Sequence, residues 1–397
     1  MALRKGPKKG PKKGLKKGLK KELVLIGAGH AHAFVLEAFA RTPEPGVSLT
    51  VISESRLAAY SGSVPAWLAG QCRLRETQID VAGLCRRAGA RLVEQRAVHV
   101  NALERCITLE NGERLSFDLA CINVGATLRQ PPQQGSEALP FLLAMRPLAA
   151  LAPRWQTLCT QVDKLPRESV QRVVSVGGGA AGSETLLAVL AALRARRPDV
   201  GFVGQLLSAD GALLPGAGTL PRTLLRRALR RAGVRVQTDV RGEALGGGVL
   251  TRQGECIAAD IVLWATGAVG HDWLAKSDLA LDQRGFIKVA PTLEARGQRG
   301  IFAAGDCAAF TPALPKAGVY AVRMGPQLAA NLRRACRHEP LASWQPPRRV
   351  LSLIGTGDGR AIASYGALGA SGKWLWRAKK RIDARFISRF NPPFDRI

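Results

Sequence analysis

The stretch Leu23–Ala38, LVLIGAGHAHAFVLEA, constrains this chain more than any other. Its leading apolar residues, Leu23–Ile26, are too few and too closely bounded by glycine for a helix, and predict a buried strand. Gly27, Ala28 and Gly29 predict a tight turn, and from His30 the apolar spacing becomes helical. Strand, glycine turn and helix in that order form a cradle for a dinucleotide. The first glycine permits the turn, the second lets a diphosphate approach the backbone, and the amides at the helix start favour an anion. His32 stands where the GxGxxG pattern has its third glycine, so helix and strand must pack differently there.

The unit recurs roughly 150 residues later. Val173–Val176 is again an apolar strand, Gly177-Gly178-Gly179-Ala180-Ala181-Gly182 completes the pattern, and Ser183–Arg194 reads as a helix. Gly177, Gly179 and Gly182 are the candidate contacts for a second dinucleotide. The expected fold class is therefore α/β, with two Rossmann-like dinucleotide-binding units. A chain of 397 residues has room for both cores, and 43 glycines suit a glycine-punctuated enzyme.

No apolar run approaches the ~18 residues of a membrane span, and no signal-peptide core opens the chain, so a cytoplasmic protein is expected. Eight cysteines are scattered without a C-x-x-C or metal-ligand spacing, the pattern of reduced buried thiols, and no metal site is expected. The net charge of +28 is concentrated at the start: residues 4–21 hold ten cations and no anion, which leaves +18 on the rest. Residues 6–21 are the tandem repeat GPKK, GPKK, GLKK, GLKK, which has nothing to bury in a core and is expected to be a disordered tail. Its charge suits contact with anionic lipid or nucleic acid without sequence specificity. No aromatic residue interleaves the lysines to stack bases, so no specific nucleic-acid partner is expected.

Further along, Val47–Ile52 reads as the second strand, whose end commonly carries an acid for the adenine-side ribose. Ser53 and Glu54 both stand there, with Glu54 the favoured candidate. Tyr60–Pro65 is a polar, turn-rich loop suited to a cofactor. The apolar run ending in Ile122-Asn123-Val124-Gly125 and the strand DIVLWATGAVG, which contains Gly267, both close on small residues beside the expected cofactor paths. Phe202–Leu207 ends at Ser208 instead of an acid, which leaves NADPH as open as NADH. Ile301–Ala309 is a third strand-to-turn unit, with Gly305-Asp306 at its end and a helix from about Gly318. Asp306 reads either as a turn former or as a carboxylate for ribityl hydroxyls. A proline-containing link at Gln130–Gln134 divides the units. The expected organisation is a tail (1–21), a first unit in two parts (22–130 and 285–345), a second unit (131–284) and a C-terminal segment (346–397).

That segment contains an amphipathic helix, Lys373–Phe390. On a helical projection Leu375, Ile382, Phe386 and Phe390 share one side, while Lys373, Arg377, Lys380 and Arg381 lie opposite. With Trp374 and Trp376 nearby, the helix suits the headgroup level of a membrane. Packing on the protein's own core is the other reading.

The three strand-end motifs in this order resemble the flavoproteins with two dinucleotide-binding domains: pyridine nucleotide–disulfide oxidoreductases, type II NADH dehydrogenases and sulfide:quinone oxidoreductases. The resemblance covers roughly residues 22–345. It implies FAD on the first loop (Gly27, Ala28, Gly29, His30, with Glu54 and Gly125), Asp306 on its ribityl chain, and NAD(P)H on Gly177, Gly179 and Gly182, with Ser208 and Gly267 beside it. It also implies that Lys316-Ala317-Gly318, which looks like a PKxG segment, sits by the flavin ring. Glu184 matches an acid that faces the nicotinamide–flavin contact in type II NADH dehydrogenases; a helix-dipole role accounts for it equally well. The redox cysteine pair of the disulfide reductases is not seen. The stretches GAGHAHAFVLEAF, YSGSVPAWLAG, LPKAGVYAVR, LIGTGDGRAIASYG and KWLWRAKKRIDARF further resemble the flavoprotein associated with selenide, water dikinase, in its stand-alone form. The resemblance thus implies transfer of electrons from NAD(P)H through FAD to an acceptor, with a quinone leading. Selenium or sulfur species, or a non-catalytic flavin-binding role, are the alternatives. It also implies a peripheral contact at the cytoplasmic membrane face.

Overall fold

The computed structural model of the chain describes residues 20–134 and 138–391. Along the chain the principal strands are β1 (Lys21–Ile26), β2 (Val47–Ile52), β3 (Arg91–Val93) and β4 (Leu119–Ile122). Then come β5 (Phe141–Ala144), β6 (Val170–Val176), β7 (Gly201–Leu207), β8 (Val234–Gln237), β9 (Ile261–Trp264) and β10 (Ile301–Ala303). A C-terminal meander follows as β11 (Ser352–Gly355), β12 (Ala361–Tyr365) and β13 (Leu368–Gly372). The helices that position the site are α1 (His30–Arg41), α2 (Ala180–Arg196), α3 (Thr219–Arg231), α4 (Gly318–Cys336) and α5 (Lys373–Phe390).

Two parallel five-stranded sheets dominate, in the orders β10-β4-β1-β2-β3 and β5-β9-β6-β7-β8. In each, the strand that feeds the glycine loop lies at the centre. The physical reason is burial on both faces, which permits an unbroken apolar run. In β1, Leu23 and Leu25 enter one core with α1 and α4, whereas Val24 and Ile26 enter the core on the other face. β10, which arrives from far downstream, completes the first sheet by pairing with β4. The strand therefore carries Gly305 and Asp306 to the same sheet end as Gly27.

Two expectations shift. The lysine repeat up to residue 19 lies outside the described residues, but its last lysine is not tail: Lys21 opens β1, and its Nζ donates to the Cys336 carbonyl at 2.6 Å. Helix α5 has the expected limits but a different inward face. Leu375, Trp376, Lys379, Asp383, Ile387 and Phe390 are buried, while Ile382 is exposed. Phe390 joins the core that holds Phe34, and the Arg389 guanidinium grips the Glu37 carboxylate at 2.7 Å. The face follows from which residues have partners across it, which a helical projection does not contain.

Candidate functional site

Both glycine loops open onto one cavity of ≈ 2710 Å³ that runs between the sheets. On the first loop Gly27 has φ +88, and a Cβ there would lie 2.7 Å from the Asn123 carbonyl oxygen. A Cβ on Gly29 would lie 2.2 Å from Asn123 Oδ1, so neither position admits a side chain. Asn123, at the end of β4, ties the loop together. Its Oδ1 accepts from the amides of Ala31 (3.1 Å) and His32 (3.3 Å), and its Nδ2 donates to the Ala304 carbonyl (2.6 Å). Gly29 is the N-cap of α1 and offers no side chain of its own, so Asn123 takes its place on the first-turn amides, and Ala28, Gly29 and His30 line the cavity. A helix start that lines the cavity beside two obligatory glycines is a fitting seat for a diphosphate.

His32 explains how the loop closes without its third glycine. Its Nδ1 lies 2.6 Å from the Gly27 carbonyl oxygen, and burial, opposed by that hydrogen bond, pushes its pKa down to about 4. A neutral imidazole with its proton on Nδ1 donates to the turn. In the second loop Gly182 occupies the equivalent place, and a Cβ there would sit 2.1 Å from the Gly177 carbonyl oxygen. Gly182 thus serves packing and does not line the cavity. Gly177 (φ +132) is pressed on the Ala265 carbonyl, but Gly179 faces open space at the uncapped start of α2. Gly125 and Gly267 also line the cavity with room for a Cβ.

Ser208, expected beside the cofactor, does not line the cavity. It is fully buried beneath Gly178, whose Cβ would meet its Oγ at 2.3 Å, and Ala209 and Asp210 line the cavity in its place. The strand end turns the serine inward, and the next two residues outward. Ser53 is likewise buried, and its Oγ donates to the Ser55 carbonyl. Glu54 lines the cavity and pairs with Arg96 at 2.9 Å. Asp306 reaches the cavity and accepts from Arg146 Nη2 at 2.8 Å. Ala317 and Gly318 begin α4 against His30 and Ser61. The Lys316 ammonium donates to the Ala308 carbonyl (2.6 Å) and lies 3.8 Å from the centre of the Phe286 ring. Burial lowers its pKa.

Glu184 belongs to a cluster that was not legible as one. Its Oε1 accepts from the Gly355 amide at 2.7 Å and lies 4.0 Å from Lys379 Nζ. Lys379 also donates to Asp383 (3.1 Å) and to the Gly62 carbonyl (2.5 Å). Burial pushes the Glu184 carboxyl up to about 7, with Lys379 opposing. Burial likewise raises Asp383 against the same lysine. Burial works against the Lys379 ammonium, but Glu184 and Asp383 outweigh it and hold its pKa high. Tyr60 hydrogen-bonds Asp383, and burial first, then that carboxylate, keeps its phenol protonated. Its ring stacks on Phe386 at 4.5 Å, with His30 edge-on to both. The sequence signal was there, in Lys379 and Asp383 one helical turn apart on the same side of α5.

All eight cysteines are free and none lines the cavity. Cys307 follows Asp306 directly, yet its thiol donates inward to the carbonyls of Ile122 and Ala304, and burial pushes its pKa up to about 11.

Residues 21–333 match the family model described as pyridine nucleotide-disulphide oxidoreductase. An NADH dehydrogenase-like protein of Mycobacterium tuberculosis is 27% identical over 303 residues, 72% of either chain. A type II NADH:quinone oxidoreductase of Haemophilus influenzae is 27% identical over 200 residues, 46% of this chain and 44% of its own. The solved structure of NDH2 from Plasmodium falciparum in complex with NADH has the same fold, with a TM-score of 0.74 at 13% identity, covering 95% of this chain and 99% of that one. The paired loops, the shared cavity and the family match agree: the chain belongs to the pyridine nucleotide-disulphide oxidoreductase family, and is an oxidoreductase that works with FAD and NAD(P)H.

Proposed function

We propose that this enzyme carries electrons from NAD(P)H through FAD to a quinone. Bound there, FAD would supply the two-electron redox chemistry that links the nicotinamide to the acceptor. The chain's residues supply the rest. Gly27, Ala28, Gly29 and the start of α1 hold the diphosphate of FAD, and Gly177 and Gly179 hold that of NAD(P)H. Asp306 takes ribityl hydroxyls. The carrying observation is the buried Glu184–Lys379–Asp383–Tyr60 cluster at the cavity wall. Quinone reduction consumes protons, and burial raises the Glu184 carboxyl to about 7, so that it can take up and give up a proton near neutral pH in a place that α5 shields from solvent. We read Glu184 as the catalytic proton donor and Lys316, which also lines the cavity, as the electrostatic partner of the reduced flavin. Similarity to type II NADH:quinone oxidoreductases supports the acceptor. The link to selenide, water dikinase rests on sequence resemblance alone.

Membrane quinone must be reached from a surface, and the C-terminal meander provides one. Leu351, Tyr365, Leu368 (67% exposed), Trp374 (63%) and Ile382 are exposed there, with Leu220 of α3 beside them. Pro221 packs on Gly369, and Arg349 packs on Gly366, so the apolar tips and the cations share a region. We assign this surface to an anionic bilayer, with Lys373, Arg377, Lys380 and Arg381 exposed along α5 as partners for headgroups. Among the described residues no helix is long and apolar enough to cross a membrane.

The test is steady-state NAD(P)H oxidation with a short-chain quinone, compared with selenite, elemental selenium and disulfides. Quinone is expected to be the fastest acceptor. Turnover with a selenium or sulfur species and none with quinone would overturn the reading.

A further inference from the structure

Phe286 stands apart from the other large buried side chains. Its ring is fully buried, yet among the described residues it joins none of the apolar cores. A closed turn sets its place. Asp282 Oδ1 accepts from the amides of Arg284 and Phe286, both at 2.9 Å, and the Asp282 amide donates to the Phe286 carbonyl at 2.8 Å. Directly after it, Ile287-Lys288 pairs in parallel with Ala308-Ala309, which brings the ring beside the segment that follows Asp306. What the ring meets there is a cation. The Lys316 ammonium lies 3.8 Å from its centre, and the central carbon of the Arg284 guanidinium lies 5.2 Å from it. Lys316 and Arg284 line the cavity, whereas Phe286 does not.

An ammonium has three N–H donors and no acceptor. One donor of Lys316 goes to the Ala308 carbonyl at 2.6 Å, and the negative face of the Phe286 ring meets the charge from a second side. Neither partner carries a net charge. A carboxylate in the ring's place would hold the lysine as firmly, but would cancel the field that the ammonium casts into the cavity. Asp306, which acts on Lys316 through its charge, is itself engaged by Arg146 at 2.8 Å. Burial lowers the Lys316 pKa, and a ring face offsets part of that desolvation without neutralising the cation. We propose that Phe286 is a positioning residue for the flavin: its ring holds the Lys316 ammonium at the cavity wall without cancelling its charge, and through it raises the reduction potential of bound FAD. An uncancelled cation in a partly buried site favours the negative charge of a reduced flavin. The inference rests on the reading of Lys316 as the electrostatic partner of that flavin and makes no use of the acceptor.

The midpoint potential of FAD on the full, loaded chain is measured by anaerobic reductive titration against a reference dye. Lys316→Met should lower it by about 30 mV or more, which is about tenfold in the equilibrium of a two-electron couple. Phe286→Leu, which stays apolar and removes the ring, should lower it by a comparable amount. Trifluorophenylalanine at position 286 keeps the volume and depletes the ring face, and should lower it part of the way. In the Lys316→Met background, Phe286→Leu should change nothing further, because the ring acts only through the lysine. A wild-type potential in Phe286→Leu overturns the proposal, and so does a fall of equal size with and without Lys316. In either case a lowered potential in Lys316→Met leaves the reading of Lys316 standing. If Lys316→Met itself leaves the potential unmoved, that reading fails and the proposal fails with it. Circular dichroism and FAD content report folding. Should Phe286→Leu not retain FAD, the fluorinated ring carries the same comparison, and a potential equal to wild type overturns the proposal.

Discussion

A single imidazole closes the first turn where a glycine closes the second. His32 donates to the Gly27 carbonyl, the same atom type that leaves no room for a Cβ on Gly182. Replacing His32 with alanine removes that hydrogen bond and opens a buried gap. We expect His32→Ala to lower stability by about 1–3 kcal/mol and to loosen FAD, as read by denaturant unfolding and by flavin release. Unchanged unfolding would show the imidazole to be a passive filler. Glu184 sets a pH dependence whose sign is fixed by its environment. Its carboxyl holds a proton below about 7 and loses it above. On the proposed role of Glu184 as proton donor, quinone reduction is expected to slow as pH rises through that value. Glu184→Gln should flatten this step and reduce the rate about tenfold or more. A profile that keeps its step in the variant would assign the proton to another group. The sequence displayed Glu184 as an acid after a glycine loop, but the residues that tune it come from positions 355, 379 and 383, and only folding brings them together.

At the scale of elements, the strands and glycine turns were legible because each carries its own local signal. Four apolar residues before a glycine fix a buried strand wherever it stands, and GxG before a helical period fixes the turn. Helix α5 was legible in extent but not in orientation. Ile382 and Phe386 look equivalent on a projection, yet Phe386 finds Tyr60 to stack on, while Ile382 finds no such cover. Burying Lys379 and Asp383 inward runs against any apolar-face rule, and it succeeds because Glu184, Tyr60 and the Gly62 carbonyl satisfy them. The helix is therefore part of the core. Phe390→Ala is expected to cost about 3–5 kcal/mol, and deleting residues 373–397 is expected to abolish FAD retention as well as fold cooperativity. A truncated chain that stays yellow and melts sharply would contradict this packing. Ser208 shows the same limit on a smaller scale, since a strand end names the place of a ribose contact but not which of three consecutive residues turns outward.

Across the whole molecule, both glycine loops and residues of the C-terminal meander line the same cavity. The sequence showed the two loops. It did not show Asn123, Arg146 or the exposed apolar tips as a set, because each depends on contacts between segments distant in the chain. The tips predict membrane behaviour: Leu368→Glu with Trp374→Glu should reduce binding to anionic vesicles about tenfold or more, leave reduction of a short-chain quinone intact, and keep the wild-type melting temperature. Vesicle binding unaffected by both substitutions would move the docking surface elsewhere. The electron path itself is tested most directly in two anaerobic half-reactions on the FAD-loaded protein. NADH or NADPH, mixed in a stopped-flow instrument, should bleach the visible absorbance of the oxidised flavin, and a short-chain quinone added to the bleached protein should restore it within the time of a catalytic turnover. Flavin that stays oxidised in the presence of both nucleotides, or bleached flavin that quinone does not reoxidise, would contradict the account.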